Sequence, residues 1–374
     1  LYIKNLKLKD FRNYESLDLN FNDSINIFYG DNAQGKTNIL EAIFLCASGR
    51  SHRTSKDQDL IKYGSDNFYI RTEIEKNNTD TRVEIFFSNE KKKRIRINDI
   101  GIKKMVDLIG NVNAVLFSPE DLMIIKEGPS ERRRFVDITL SQLRPTYFYE
   151  LQQYNKVLFQ RNSLLKEIQK KRFLLDTLEV WDEKLIEIGS SLILSRQKFI
   201  DKLNVLIENN HGKLTADTEK LFIRYVSSFY IKNYGDTIEI KENFKKDLKT
   251  VRNKELLRGI SMIGPQRDDY EINLNSMNIR TFGSQGQQRT AILSIKLSEI
   301  EIMKEETGEY PILLLDDVMS ELDYKRQEFL IERLKNVQTF ITCTDKEFFV
   351  KNKERLSYYL YNVSKGSVYV KDNT

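Results

Sequence analysis

Residues 30–37 read Gly30-Asp31-Asn32-Ala33-Gln34-Gly35-Lys36-Thr37. The run matches the phosphate-binding spacing G-x-x-x-x-G-K-[ST] at every fixed position. Its flanks fit as well. The apolar run Ile25–Tyr29 reads as a strand leading into Gly30, and the stretch from Ile39 to Ala47 reads as the helix that follows. Glycines at 30 and 35 let the backbone wrap a phosphate, so that amide N–H groups and the helix N-terminus face the anion. Lys36 is then placed to reach β- and γ-phosphates and to act in catalysis, and Thr37 offers its hydroxyl to Mg2+. Asp31, Asn32, Ala33, Gln34 and Asn38 belong to the same wrap and count with it as nucleotide-binding candidates.

Such a loop needs a carboxylate for the metal. Ile312-Leu313-Leu314-Leu315 is an apolar run ending in Asp316-Asp317, a buried central strand delivering two acids at its C-terminal end. Asp316 is expected to hold Mg2+, mostly through water. Asp317, on the other side of the strand end, is the candidate that orients or deprotonates the attacking water. Two acids after a strand also occur as a turn or cap; the upstream loop favours the catalytic alternative.

A third element lies between them. Ser284-Gln285-Gly286-Gln287-Gln288-Arg289 opens an amphipathic helix that includes Ile292, Leu293, Ile295 and Leu297. Ser284 suits an N-cap. A Ser-x-Gly-Gln turn at a helix N-terminus is also a second anion site. One chain does not need two γ-phosphate sites for one nucleotide. Two chains arranged head to tail do, the loop of one facing the Ser284 turn of the other across ATP.

With these residues in place the chain resembles the RecF family of bacterial recombination mediators, in the SMC-like branch of ABC-type head ATPases. The resemblance rests on Phe11-Arg12-Asn13-Tyr14, the 30–37 loop, Gly49-Arg50-Ser51-His52-Arg53-Thr54 and Phe117-Ser118-Pro119-Glu120-Asp121-Leu122. It continues through Gly264-Pro265-Gln266-Arg267-Asp268-Asp269, the Ser284 turn, and Leu315-Asp316-Asp317 running into Ser320-Glu321-Leu322-Asp323. It implies an α/β fold: a P-loop ABC-type ATPase head with a mixed sheet, plus an inserted α-helical lobe. It adds Arg12 to the nucleotide set. It places Ser284, Gly286, Gln287 and Asp323 against the nucleotide of a dimer partner. Glu120 stands where related heads couple nucleotide to the helical lobe, and Gln266 stands where the family usually has His. Asp317 replaces the Glu, and Thr344 the His, of transporter-type relatives, which implies slow hydrolysis suited to a switch.

The function implied is an ATP- and Mg2+-dependent DNA-binding protein that dimerises on ATP. It would recognise junctions of single- and double-stranded DNA at gaps and help load RecA with RecO and RecR. The rival classes are the ATPase subunit of a transporter, disfavoured by the signature and the long insert, and an SMC-type DNA-bridging protein, for which the insert is too short. A plain nucleotide kinase or GTPase needs no Ser284 turn. DNA-contact candidates are Arg50, His52 and Arg53, the cluster Lys91, Lys92, Lys93, Arg94 and Arg96, the run Arg132-Arg133-Arg134, and Lys170, Lys171 and Arg172. Each is also readable as solvated surface charge. No helix-turn-helix or zinc-finger spacing is present, so backbone contact is expected rather than base readout.

The remaining sequence sets the frame. Leu6, Leu8 and Phe11, then Leu17, Leu19 and Phe21, alternate around a polar Arg12-Asn13-Tyr14 turn, and residues 68–76 and 82–88 read as a hairpin through Asn77-Asn78. From Arg144 to about Asn210 the period becomes helical, predicting two amphipathic helices of about 25 residues. They break at Phe173–Glu179, and Arg161 and Ser195 interrupt the apolar stripe. Residues 213–260 show no clear pattern. The expected division is a head from residues 1–117 and 262–374 with a helical lobe over 118–261. The 374 residues suit two or three units at ~150 each. With 31% charged residues the surface is polar, while 21 Phe and 18 Tyr supply core material. No run approaches the ~18–20 apolar residues of a membrane span, and Leu1–Asp10 has no apolar signal core. Two distant cysteines and two histidines argue against a disulfide framework or a zinc site and fit a reducing cytoplasm. The net charge of +5 permits nucleic-acid binding without demanding it.

Overall fold

The computed structural model describes residues 1–90, 93–334, 336–352 and 357–371. Strands β1 (Tyr2–Phe11), β2 (Tyr14–Asn20) and β3 (Ile25–Tyr29) lead into helix α1 (Lys36–Ser48). Then come β4 (Asn67–Lys76), β5 (Thr79–Ser88), β6 (Arg94–Ile97), β7 (Ile100–Gly101) and β8 (Ala114–Phe117). The helical stretch holds α2 (Met123–Lys126), α3 (Pro129–Leu143), α4 (Pro145–Ile168) and α5 (Leu178–Thr215). After β9 (Leu221–Val226) and α6 (Thr237–Arg258) follow β10 (Asp269–Leu274), β11 (Met277–Asn278), α7 (Ile279–Phe282) and α8 (Gln285–Thr307). The chain closes with β12 (Ile312–Asp316), α9 (Tyr324–Leu334), β13 (Thr339–Cys343), α10 (Glu347–Lys351), β14 (Tyr358–Ser364) and β15 (Ser367–Lys371).

These elements form two compact units, residues 1–121 with 299–374, and residues 122–298. The first unit holds two six-stranded sheets, ordered β2-β1-β4-β5-β6-β7 and β15-β14-β3-β13-β12-β8. In the first sheet every neighbour is antiparallel, and in β4 the side chains of Phe68, Ile70, Thr72 and Ile74 alternate inward. Its β4–β5 hairpin turns through Asn77 and Asn78 at φ 49° and 58°, the positive angles that a two-residue turn demands and Asn tolerates. In the second sheet β14, β3, β13, β12 and β8 run parallel and only β15 is antiparallel. A parallel strand covered on both faces reads as a continuous apolar run, and every residue of β3, β12 and β13 is buried. Helix α1 touches β12, β13 and β8 of this sheet and β4 and β5 of the other. It therefore lies between apolar layers, which is why residues 39–47 are buried all round rather than along one stripe.

In the second unit α4 and α5 pack together around a 3-10 turn at Arg172–Thr177, where the sequence places the break. Helix α4 has 24 residues, but α5 has 38, longer than expected. The helical period in the sequence reaches only about Asn210; here Asn210, His211 and Gly212 are buried inside the helix, which ends at Ala216 in the left-handed conformation. The interruption at Arg161 is also explained. Its fully buried guanidinium donates to Asp182 at 2.7 Å, to Glu255 at 2.6 Å and to Ser261 at 2.7 Å, tying α4, α5 and α6 together. A buried charge is tolerable when it is paired and hydrogen-bonded in this way.

The unit runs to Ser298, beyond the expected lobe limit at 261. The sheet β11-β10-β9 and the first half of α8 pack with the helices: α5 on β9, α3 on β10, and Asn210 donating to Ser298 Oγ at 3.0 Å. Among the described residues no helix is long and apolar enough to cross a membrane. Cys46 and Cys343 are free and buried.

Candidate functional site

The 30–37 loop is shaped by backbone angles few residues adopt. Gly30 sits at φ 150° and Gly35 at φ 115°. A Cβ on Gly30 would lie 2.3 Å from the Val363 carbonyl oxygen, and one on Gly35 would strike Asn13 and the Tyr14 hydroxyl. The loop is also held from outside. Asn13 Nδ2 donates to the Gln34 carbonyl at 2.8 Å, and the Tyr14 hydroxyl to that of Gly35 at 3.1 Å. From the β14–β15 turn, Lys365 N donates to Gln34 Oε1 at 2.7 Å. Asn38 Nδ2 donates back to Asn13 Oδ1 at 2.8 Å. Such a loop offers an anion its amides with little reorganisation left to do.

The loop borders a cleft of about 280 Å³ lined by residues 32–38 together with Arg53, Asp316, Asp317 and Thr342. Lys36 is nearly buried, and its ammonium donates to the carbonyls of Gly30 at 2.5 Å and Asp31 at 2.7 Å. Burial holds its pKa below the usual lysine range, while the nearby carboxylates, Asp317 first, pull the other way. Thr37 Oγ1 donates to Asp316 Oδ1 at 2.8 Å, and Thr342 Oγ1 donates to the same oxygen at 2.7 Å. Asp317 also lines the cleft, its backbone at φ 53° and its amide on Thr342 Oγ1 at 2.9 Å. Hydroxyl and carboxylate oxygens of this kind suit a small hard cation that draws its other ligands from phosphate and water. Among the described residues no cluster of three or more His, Cys, Asp or Glu side chains gathers to hold a metal.

Arg12 is absent from the cleft lining. Its guanidinium grips Glu41 of α1 with two hydrogen bonds, at 2.9 and 2.7 Å, and donates to the Asp59 carbonyl at 2.8 Å. Glu41 is fully buried and also accepts from Ser51 Oγ at 2.5 Å, with Arg53 at 3.5 Å. Burial alone pushes its carboxyl up, but Arg12 and Ser51 outweigh it and hold the group below the usual range. Arg53 bonds Asn38 Oδ1 at 2.9 Å and lines the cleft. The sequence marks Arg53 as a DNA-contact candidate and carries Arg53 and Asn13 in family motifs, but gives Thr342, Asn13 and Glu41 no place in the site. An acid inside the run Ile39-Leu40-Glu41-Ala42-Ile43 was the available signal, since a buried carboxylate requires cations around it.

The Ser284 turn belongs to the second unit. It forms a reciprocal capping box: Gln287 N donates to Ser284 Oγ at 3.2 Å, and Ser284 N to Gln287 Oε1 at 2.8 Å. Ser284, Gln285 and Gly286 are exposed, and a Cβ on Gly286 would meet only Ser284 Oγ, at 3.9 Å. Asp323 caps α9, accepting from Arg326 N at 3.0 Å, and is half exposed. Glu120 is exposed in a 3-10 turn, and exposed Thr344 follows β13. Gln266 accepts from the Tyr154 hydroxyl and donates to the Ile263 carbonyl at 2.8 Å, a structural role inside the second unit.

The basic candidates separate. Arg132 is corrected to a core residue: it is buried against Asp269 at 2.7 and 3.0 Å and caps the carbonyls of Ile124 and Glu127. Its neighbour Arg133 donates to the Asp268 carbonyl. Lys93 is tied to the Gly49 carbonyl and Asp57, and its pKa is lowered by burial. Arg50, Arg53, Arg94, Arg96, Arg134, Lys170, Lys171 and Arg172 are exposed, and His52 is half-buried edge-on to Phe44. Lys91 and Lys92 lie outside the described residues.

A phosphate loop between β3 and α1, with acids at the end of a parallel β12 and a long helical insertion, defines a mixed α/β ATPase head of the SMC type. The model of the RecF/RecN/SMC N terminal domain family matches residues 2–366. The DNA replication and repair protein RecF of Acetivibrio thermocellus is 56% identical over 349 residues, 93% of this chain and 95% of that one. That of Ruminiclostridium cellulolyticum is 51% identical over 350 residues, 93% and 94% of the two chains. A solved structure of the recombination mediator protein RecF with ATP, described as acting in the RecFOR pathway, superposes with a TM-score of 0.93 at 38% identity, covering 99% of this chain and 98% of that one. An Smc head bound to a winged-helix domain shares the fold, with a TM-score of 0.57 at 14% identity. The chain belongs to the RecF family of DNA replication and repair proteins.

Proposed function

We propose that this chain is an ATP- and Mg2+-dependent DNA-binding protein of recombinational repair that dimerises on ATP and separates after slow hydrolysis. In this proposal it recognises single-/double-strand junctions at gaps and, through RecR and RecO, helps load RecA in the cytoplasm. The observation that carries it is the pairing of a preformed phosphate loop with an exposed Ser284-Gln285-Gly286 turn whose glycine no neighbour among the described residues requires. ATP sits in the 30–38 wrap, with Lys36 on its β- and γ-phosphates. Thr37 and Asp316 hold Mg2+, and Asp317 orients water at the γ-phosphate. Ser284, Gly286, Gln287 and Asp323 complete the site from the partner protomer. The ATP of the solved relative supports the nucleotide, and that relative's place in the RecFOR pathway supports the partners.

The deciding experiment is gapped-DNA binding with and without ATP across a salt series. ATP should tighten binding, and log Kd should rise linearly with log salt at a slope set by the number of phosphates contacted. Binding indifferent to both ATP and salt would contradict the proposal. A second expectation concerns Asp317→Asn. It keeps the volume but removes the base, so ATP-bound dimers should persist while single-turnover hydrolysis slows by about 10²-fold. Unchanged hydrolysis in that variant would move the base elsewhere.

A further inference from the structure

The side chain of Gln287 has two ends, and both are engaged. Its Oε1 accepts from Ser284 N at 2.8 Å, closing the capping box. Its Nε2 donates to Glu219 Oε1 at 2.8 Å. Glu219 lies between α5 and β9, on a backbone fixed by its neighbour: Lys220 N donates to Asn275 Oδ1 at 2.8 Å, and Asn275 N to the Lys220 carbonyl at 2.9 Å. The second oxygen, Oε2, lies 3.4 Å from Nε2 of buried His211, in the last turns of α5. His211 Nδ1 is in turn 2.9 Å from Ser294 Oγ, whose own proton goes to the Thr290 carbonyl at 2.9 Å. One partly exposed carboxylate thus joins the end of the 38-residue helix α5 to the first turn of α8.

We propose that Glu219 is a positioning residue for the Ser284–Gln287 turn. An amide can face either way; an acceptor at 219 draws Gln287 Nε2 to itself and so holds Oε1 on the Ser284 N–H. With that orientation fixed, the turn is presented in one geometry, with Ser284 Oγ held on Gln287 N and residues Ser284, Gln285 and Gly286 exposed. Without it, the amide rotates and the turn pays an ordering cost each time it engages a nucleotide. The assignment rests on the dimer proposed above, in which this turn meets the partner's nucleotide.

The test compares Glu219→Ala, Glu219→Gln and Glu219→Lys in the full chain by analytical ultracentrifugation with ATPγS and Mg2+, alongside Ser284→Arg. Fluorescent-ATP affinity of the monomer and the melting temperature are read on each. Glu219→Ala should weaken the ATP-dependent dimer about tenfold. Glu219→Gln keeps an acceptor and should dimerise within about twofold of the parent. Glu219→Lys, a donor only, draws Gln287 Oε1 away from Ser284 N and should be weakest. Monomer affinity for ATP should not move, because Glu219 is not part of the nucleotide cleft. Native dimerisation of Glu219→Ala beside a dimer-deficient Ser284→Arg overturns the assignment alone. Equal loss in the Gln and Ala variants overturns it too, since an acceptor would then not be what matters. Native dimerisation of Ser284→Arg overturns the dimer arrangement in which this turn meets the partner's nucleotide.

Discussion

Lys36→Ala is expected to fold normally and to lose ATP binding, with affinity falling by about 10²-fold or more in a fluorescent-nucleotide titration. The expectation follows from what Lys36 does in the chain by itself. A nearly buried ammonium is an expense for the fold, and its lowered pKa records that cost. Its ammonium donates to the carbonyls of Gly30 and Asp31, inside the loop it belongs to. Both bonds lie within the loop and tie it to no other element, so losing them should change stability little. The nucleotide loses more, because a charge-assisted bond to a phosphate has no substitute among the loop amides. Lys36→Arg keeps the charge but carries a planar fork on a site shaped for a point charge, and it should also bind poorly. Native affinity in both variants would mean that this cleft is not where ATP sits. The sharper readout is the split between melting temperature and affinity: a structural lysine would move the first, a phosphate-binding lysine the second.

The same distinction explains which parts of this chain were legible beforehand. β3, β12 and the 30–37 loop were readable because they are local: an apolar run, a glycine spacing and a pair of acids follow each other without interruption. Helix α6 was missed although its ends carry clear signals. Asp236 caps it, accepting from Ile238 N and Glu239 N, and Gly259 ends it at φ 67°. Its buried face, however, is only Ile240, Phe244, Leu248 and Glu255, too thin a stripe to stand out among so many lysines and glutamates. The braces of the site were illegible for a different reason. Asn13, Glu41, Arg53 and Thr342 act through partners from other parts of the chain, and no periodicity reports a contact between β1–β2 and residue 34 or between β13 and residue 316. Arg132 shows the converse error. A run of three arginines looks like a patch, but a helix sends consecutive residues in different directions, and the first of the three is buried. What sequence order hides is three-dimensional pairing of charge, and that pairing separates a core arginine from a phosphate contact.

Ser284→Ala and Ser284→Arg are expected to abolish ATP-induced dimers while the monomer still binds ATP. Ser284 lies at an exposed helix start, and its hydroxyl accepts one hydrogen bond, from Gln287 N at 3.2 Å. Removing a cap of that kind costs about 1 kcal/mol, small enough to leave the unit folded. If capping were its whole purpose, the loss would appear in the melting temperature alone, and Ser284→Asp, which caps as well, would restore the chain completely. The environment of the turn says otherwise. A Cβ on Gly286 would meet only Ser284 Oγ, at 3.9 Å, so among the described residues no neighbour requires glycine there; in the proposed dimer it would let the partner's nucleotide approach the backbone closely. A helix start whose free amides are exposed attracts an anion. In the proposed dimer that anion would be the partner's γ-phosphate. Ser284→Asp therefore separates the two roles: it should preserve the helix and still fail to dimerise, because a carboxylate facing a triphosphate repels it. Sedimentation with ATPγS reads the dimer, and nucleotide fluorescence reads the monomer. Dimers of native affinity in Ser284→Asp would reduce the turn to a helix cap and move the dimer contact to another surface.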